Sequence, residues 1–222
     1  MDVGDLVYLF VENDQVKLDQ VPQAQSSLIS FNPKTGEVLS YVGGSVFNNS
    51  QFDRVRQSYP QSGSVFKPFI YASAFSGGYN PSSLINDAPI IFEDDNLETF
   101  WRPENYSGKF YGLTTLREAL VQSINIVSIK LLREIGVKKS SETIDNFGFG
   151  SERLPQDLSL ALGSGNFSPA EVARGFSVFA NDGMISDIHY VSQIRDKNGD
   201  IIFDHSEIDV VNISSISAFP WL

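Results

Sequence analysis

The stretch Phe69-Ile70-Tyr71-Ala72-Ser73-Ala74-Phe75 constrains this chain most, because it is apolar nearly all round and is followed by Gly77-Gly78. A helix without a polar face must be wrapped on every side, and the glycines supply its stop. Pro68 is tolerated only close to the start of such a helix. The start therefore falls in Gln61-Ser62-Gly63-Ser64-Val65-Phe66-Lys67, which sets Ser64 and Lys67 at the mouth of a buried helix. Residues i and i+3 share a helix face, so the Lys67 amine can approach the Ser64 hydroxyl. A hydroxyl is a poor nucleophile until an adjacent base takes its proton, and a lysine can be that base once desolvation or neighbouring charge lowers its pKa.

A Ser-x-x-Lys also arises by chance in a chain with this much serine, as a solvated pair on an ordinary helix. The surroundings favour chemistry. Gly63 permits close backbone approach, helix N-terminal N–H groups favour developing negative charge, and a buried helix is a poor place for a solvated ion.

Composition narrows the classes. The 222 residues with 41% hydrophobic content are enough for a real core. A formal net charge of −11, with no cluster of Lys and Arg, argues against a nucleic-acid partner. The absence of cysteine removes thiolate catalysis and Cys-ligated zinc, and His189 and His205 offer no ligand spacing, so neither a metal nor a cofactor is expected. No run of roughly 20 apolar residues predicts a membrane span, and Met1-Asp2-Val3-Gly4-Asp5 lacks the features of a signal peptide. The apolar end Ala218-Phe219-Pro220-Trp221-Leu222 has no evident cap or strand partner and suggests a truncated chain.

Residues 5–21 alternate as a hairpin turning at Asn13-Asp14, and Ser27–Phe31 with Glu37–Val42 predict a second around Asn32-Pro33-Lys34-Thr35-Gly36. Asn80 to Tyr111 is loop-rich. Thr115-Leu116-Arg117-Glu118 opens a helix as a capping box, and Ser123-Ile124-Asn125 interrupts it before a second helix stopped by Gly136. Ser140 begins a short helix. Ser168-Pro169-Ala170-Glu171 begins another, stopped at Gly183, and residues 190–194 and 201–203 form a last hairpin. Strands, then a helical block, then strands again predict an α+β fold.

Within the interruption, Asn125 can be read as a simple cap of the second helix. Alternatively, Ser123 and Asn125 face Ser64 and Lys67 and complete a site. A further Ser-x-Asn, Ser164-Gly165-Asn166, is explained by turn chemistry before the Ser168 helix.

The chain resembles the class A penicillin-binding proteins in their transpeptidase domain, of the serine β-lactamase-like superfamily. The resemblance rests on Asn32-Pro33-Lys34-Thr35-Gly36-Glu37-Val38, Val42-Gly43-Gly44, Phe52-Asp53-Arg54, Gly63-Ser64-Val65-Phe66-Lys67-Pro68-Phe69, Trp101-Arg102-Pro103-Glu104-Asn105-Tyr106, Thr115 to Leu120, Ser123-Ile124-Asn125 and Leu160-Ala161-Leu162-Gly163-Ser164. It implies a helical block beside an antiparallel sheet. Residues 1–21 would be the end of a small β-rich linker or accessory segment, and 22–222 a partial transpeptidase domain. It further implies that Ser64 is acylated by a peptidoglycan stem peptide or a β-lactam, with Lys67 as base. Ser123 would relay a proton, Asn125 would hold the substrate amide, and the Ser64 N–H would serve an oxyanion hole. Full-length relatives are membrane-anchored at the periplasmic face of the inner membrane and also carry a glycosyltransferase domain.

One family motif is out of place. A Lys-Thr/Ser-Gly should follow Ser123, and none does; Lys34-Thr35-Gly36 precedes Ser64 in a hairpin turn and is not counted as catalytic. The expectation is therefore an incomplete fragment, inactive alone, with a possible partner chain carrying the missing C-terminal part. The alternatives are a β-lactamase or D-Ala-D-Ala carboxypeptidase, for which no deacylating carboxylate stands out, and a non-catalytic penicillin-binding sensor or scaffold.

Overall fold

Helices and antiparallel strands both form, as the α+β reading expects. The computed structural model describes residues 2–20, 24–48, 50–93, 100–205 and 210–212. Strands β1 (Tyr8–Glu12) and β2 (Gln15–Asp19) pair across Asn13 and Asp14, both at positive φ, the conformation a two-residue hairpin needs to match strand twist. Strands β3 (Leu28–Phe31) and β4 (Val38–Val42) flank the Asn32–Gly36 turn, in which Asn32 Oδ1 accepts the Lys34 N–H at 2.9 Å. Gly36 has φ +78°, and a Cβ there would lie 1.9 Å from the Asp187 carbonyl oxygen. Ser186 Oγ donates to the Lys34 carbonyl at 3.0 Å. The Lys34-Thr35-Gly36 turn is thus held by segment 186–189.

A 3-10 turn over Gly63–Phe66 leads into α1 (Lys67–Ser76), which buries eight of its ten residues. Around α1 lie α2 (Leu116–Val121), α3 (Asn125–Ile135), α4 (Val137–Asp145), 3-10 turns over Ser151–Arg153 and Leu158–Leu162, and α5 (Pro169–Ala180). The core is aromatic at its centre. The Phe69 ring has those of Phe66, Phe147, Phe149, Phe176 and Phe179 within 5.5 Å, mostly edge to face, a geometry that adds to simple burial.

Between α1 and α2 run β5 (Leu84–Asp87), β6 (Phe92–Glu93), β7 (Phe100–Trp101) and β8 (Gly112–Thr115). After α5 come β9 (Met184–Ser186), β10 (Gln193–Arg195), β11 (Ile201–Asp204) and β12 (Val210–Asn212). The described strands form six two-stranded antiparallel ladders: β1 with β2, β3 with β4, β5 with β8, β6 with β7, β9 with β12 and β10 with β11.

Both capping signals act. Thr115 Oγ1 accepts the Glu118 N–H, and Ser168 with Glu171 closes a full capping box. Three expectations need correction. The helix assigned to start at Ser140 begins at Val137, because Gly136 at φ +92° turns the chain between two helices without a loop. The loop-rich stretch 80–111 contains β5, β6 and β7. Asn125 is the first helical residue of α3 and caps nothing; the N-cap position is Ile124. The expectation for Ala218–Leu222 lies outside the described residues.

Candidate active site

Ser64 sits on the 3-10 turn, exposed, with Gly63 before it at φ +59°. The turn is gripped from behind. Ser62 N–H donates to the Gly165 carbonyl at 3.0 Å and Gly63 N–H to the Gly163 carbonyl at 2.9 Å. Segment 163–165 therefore supports the serine turn through its backbone, while the Ser164 hydroxyl bonds that of Ser159 at 2.6 Å. Among the described residues Ser64 Oγ has no hydrogen-bond partner, so the hydroxyl stands open to an incoming molecule.

Lys67 opens α1 and is only 1% exposed. Its amine donates to the Ser123 carbonyl at 2.6 Å, Ser123 Oγ at 2.9 Å and Asn125 Oδ1 at 2.8 Å. Those bonds use all three ammonium protons. Among the described residues the amine forms no ion pair, and burial lowers its pKa from 10.5 to about 8. The Lys67 backbone N–H donates to the Ser64 carbonyl, closing the 3-10 turn, but the Lys67 amine does not bond the Ser64 hydroxyl: its partners are Ser123 and Asn125. Of the four residues singled out from the sequence, the structure brings the side chains of Lys67, Ser123 and Asn125 into hydrogen-bond contact and leaves the Ser64 hydroxyl outside that network.

Of the three acceptors, only the Ser123 hydroxyl can also donate. When Lys67 is neutral, its lone pair can accept from that hydroxyl, whereas the carbonyl and amide oxygens can only continue to accept. The site can therefore pass a proton between Ser123 and Lys67 without moving a heavy atom.

Ser123 holds φ +54°, the left-handed region that L side chains rarely adopt. The cause is the end of α2. Ser123 N–H donates to the Leu120 carbonyl at 3.1 Å and Ile124 N–H to the Ala119 carbonyl at 2.8 Å, the paired bonds of a Schellman ending whose left-handed position is usually glycine. A serine there retains backbone strain in return for a hydroxyl and a carbonyl aimed at Lys67. Sequence reading marked Ser123 but not its backbone, since serine gives no signal for positive φ.

Asn125 is fixed at both ends. Its Nδ2 donates to the Glu104 carbonyl at 3.0 Å while its Oδ1 accepts from Lys67. A carbonyl only accepts and an ammonium only donates, so the amide has one orientation. Below it, Tyr71 and Ser128 hydroxyls meet at 3.2 Å and Ser128 donates to the Ile124 carbonyl at 2.8 Å, which ties α1 to the same turn. Sequence reading missed the contributions of Glu104 and Gly163, which lay in quoted landmarks without an assigned role. Among the described residues no group of three or more His, Cys, Asp or Glu could hold a metal ion, and no helix is long and apolar enough to cross a membrane.

The chain as a whole is similar to known proteins. The model of the penicillin binding protein transpeptidase domain matches residues 27–218. The chain belongs to that family. It is 42% identical over 192 residues to penicillin-binding protein 1A of Pseudomonas aeruginosa, covering 86% of this chain and 23% of the relative. To penicillin-binding protein 1A of Escherichia coli it is 38% identical over 204 residues, 92% of this chain and 24% of the relative. The chain thus spans about a quarter of the length of these relatives. The crystal structure of penicillin-binding protein 1A from Haemophilus influenzae superposes with a TM-score of 0.85 at 33% identity, over 92% of this chain and 30% of that one. The imipenem acyl-enzyme complex of penicillin-binding protein A from Mycobacterium tuberculosis, at 17% identity and a TM-score of 0.72 over 88% of this chain and 55% of that one, shares the transpeptidase fold.

Proposed function

We propose that this chain carries the acylation centre of a D,D-transpeptidase that cross-links peptidoglycan, at the periplasmic face of the inner membrane. The observation that carries the reading is the Lys67 amine, buried, lowered to about 8 and bonded to the Ser123 hydroxyl within one turn of a Ser64 whose hydroxyl is unpartnered among the described residues. In the first step the neutral Lys67 amine receives the Ser64 proton, directly or through Ser123. Ser64 Oγ then bonds the carbonyl carbon of the penultimate D-Ala. The C–N bond to the terminal D-Ala breaks, and the leaving amine takes a proton back along the same route. An amine of a second stem peptide resolves the ester.

The Ser64 N–H serves the oxyanion, and Asn125 orients the donor amide with the N–H that Glu104 leaves unused. The donor's terminal carboxylate calls for a cation. No Lys-Thr-Gly follows Ser123 in these 222 residues, and none of them is assigned that role. A β-lactam, whose strained amide mimics the donor, is expected to esterify the same serine.

A labelled penicillin tests this. The expected result is a stable adduct on the Ser64 peptide, located by mass spectrometry and abolished by Ser64→Ala. Rapid loss of the adduct would replace the reading with a β-lactamase, and a folded chain that never labels would replace it with a non-acylating scaffold.

A further inference from the structure

Asn105 lies in the segment between β7 and β8, outside the groups assigned to chemistry, yet its side chain is buried and every polar atom on it is used. Its Nδ2 donates to both carboxylate oxygens of Asp87, at 3.0 and 2.9 Å, and to the Lys109 carbonyl at 2.8 Å. Its Oδ1 accepts the Ile126 N–H at 3.1 Å. Asp87, at the end of β5, is 1% exposed and also accepts the Tyr111 N–H at 2.9 Å. Two buried polar side chains are thereby fully occupied by one another and by three backbone groups, an arrangement that leaves little freedom to either.

The Ile126 amide belongs to the first turn of α3, where N–H groups have no partner within the helix. Ile124, at the N-cap position, has no side chain able to accept. Asn105 supplies from a distant loop what a capping residue ordinarily supplies from the chain itself. The residue before it then makes the decisive contact, since the Glu104 carbonyl takes the Asn125 Nδ2 proton at 3.0 Å and turns Asn125 Oδ1 toward Lys67. A second tether runs in parallel: Lys130, one turn further along α3, donates to the carbonyls of Asn86 and Ala88 on either side of Asp87, at 2.7 and 3.0 Å.

We propose that the buried Asp87–Asn105 pair is the positioning element of the site, setting the start of α3 and, through the Glu104 carbonyl, the Asn125 amide that holds the Lys67 amine. It touches no reacting atom. The inference rests on the reading of Lys67 as the base.

The test follows the Lys67 ammonium by nitrogen-15 lysine NMR on the 222-residue chain at pH about 6, where that amine is protonated. The resonance is assigned by its disappearance in Lys67→Met. In the parent chain a buried ammonium with three acceptors should give a protected signal. In Asn105→Ala, cooperatively folded by circular dichroism, the expected result is loss of that signal into solvent exchange about tenfold faster or more. Asn105→Asp alone, which sets two carboxylates together, should be worse. The exchanged pair Asp87→Asn with Asn105→Asp restores an acceptor for Ile126 and a donor opposite it but leaves the Lys109 carbonyl facing a carboxylate, and should recover the signal in part. An unchanged Lys67 resonance in folded Asn105→Ala overturns the proposal, as does an exchanged pair no better than Asn105→Asp. Should Asn105→Ala not fold, Asp87→Asn decides by the same signal, and unfolding of both assigns the pair to the core and overturns the positioning role. None of these readouts needs Ser64 to react, so a chain that fails to label with penicillin sinks the transpeptidase reading and leaves this test standing.

Discussion

Gly63 and Gly163 meet backbone to backbone: the Gly63 N–H donates to the Gly163 carbonyl at 2.9 Å, and a Cβ at 163 would fall 1.9 Å from the Gly63 carbonyl oxygen. The contact seats the turn that presents Ser64. Both residues have positive φ, +59° and +70°, yet the space around them differs, since a Cβ at 63 would meet nothing within 4 Å. Gly163→Ala must therefore displace the turn that carries Ser64, whereas Gly63→Ala meets only the backbone penalty of roughly 1–2 kcal/mol. The expected outcome is at least roughly a tenfold loss of Ser64 acylation rate in Gly163→Ala, a loss of stability in both by urea denaturation, and a smaller effect on rate in Gly63→Ala.

Ser123 combines strain with chemistry, and two substitutions separate them. Ser123→Ala removes the hydroxyl and keeps a Cβ at φ +54°, while Ser123→Gly removes the hydroxyl and relieves the backbone. Both should lower Ser64 acylation by about 10²-fold or more, the scale of a lost proton-transfer partner. The glycine variant should be the more stable of the two by about 1 kcal/mol in urea denaturation. Equal stabilities would argue that the left-handed turn carries no strain, and an unimpaired rate in either would remove Ser123 from the proton path.

Much of this was readable beforehand, for local reasons. The hairpins at Asn13-Asp14 and Asn32–Gly36, the cap at Thr115, the capping box at Ser168 and the stop at Gly136 are set by residues within a few positions of one another. The Ser64–Lys67 spacing is equally local. What escaped is held by partners distant in sequence. Strands β5 and β8 are four residues each and find one another across a long loop, with too little pattern in either to predict the pairing. Gly163 gains its meaning only from Gly63, and Asn105 only from Asp87 and Ile126. The positive φ of Ser123, a residue the sequence did mark, escaped for another reason: the helix ending overrides the ordinary backbone preference of serine.

Phe69 couples the core to the site, because its ring lies among five others and its helix begins at Lys67. Phe69→Ala should destabilise the chain by about 3–5 kcal/mol, read by chemical denaturation. Phe69→Leu, which keeps most of the volume, should be clearly milder. Penicillin labelling should follow the folded fraction in both, and a stable Phe69→Ala protein would mean that the aromatic cluster is not the centre of the core.

The Lys67 amine makes rate and stability depend on pH in a definite direction. Only its neutral form can take the Ser64 proton, so acylation should climb as pH rises through about 8 and level off above it. Lys67→Arg, whose guanidinium stays charged, should lose the climb along with most of the rate. Stability follows from the same lowering. Below pH about 8 the folded and unfolded chains both hold the proton, and the folded state bears the full burden of a buried charge. Between about 8 and the ordinary 10.5 the unfolded chain binds one proton more, so the Lys67 contribution to stability rises with pH across that window. Tyr71, raised to about 12 by burial, and Tyr79, raised to about 12 chiefly by its bond to Glu134, keep their protons longer when folded and pull stability down above pH about 10. Urea denaturation of the parent chain and Lys67→Met, at intervals from pH about 7 to 10, isolates the lysine. The difference between them should move in favour of the parent as pH rises, and a flat difference would show that the amine is not lowered and cannot act as the base near neutral pH.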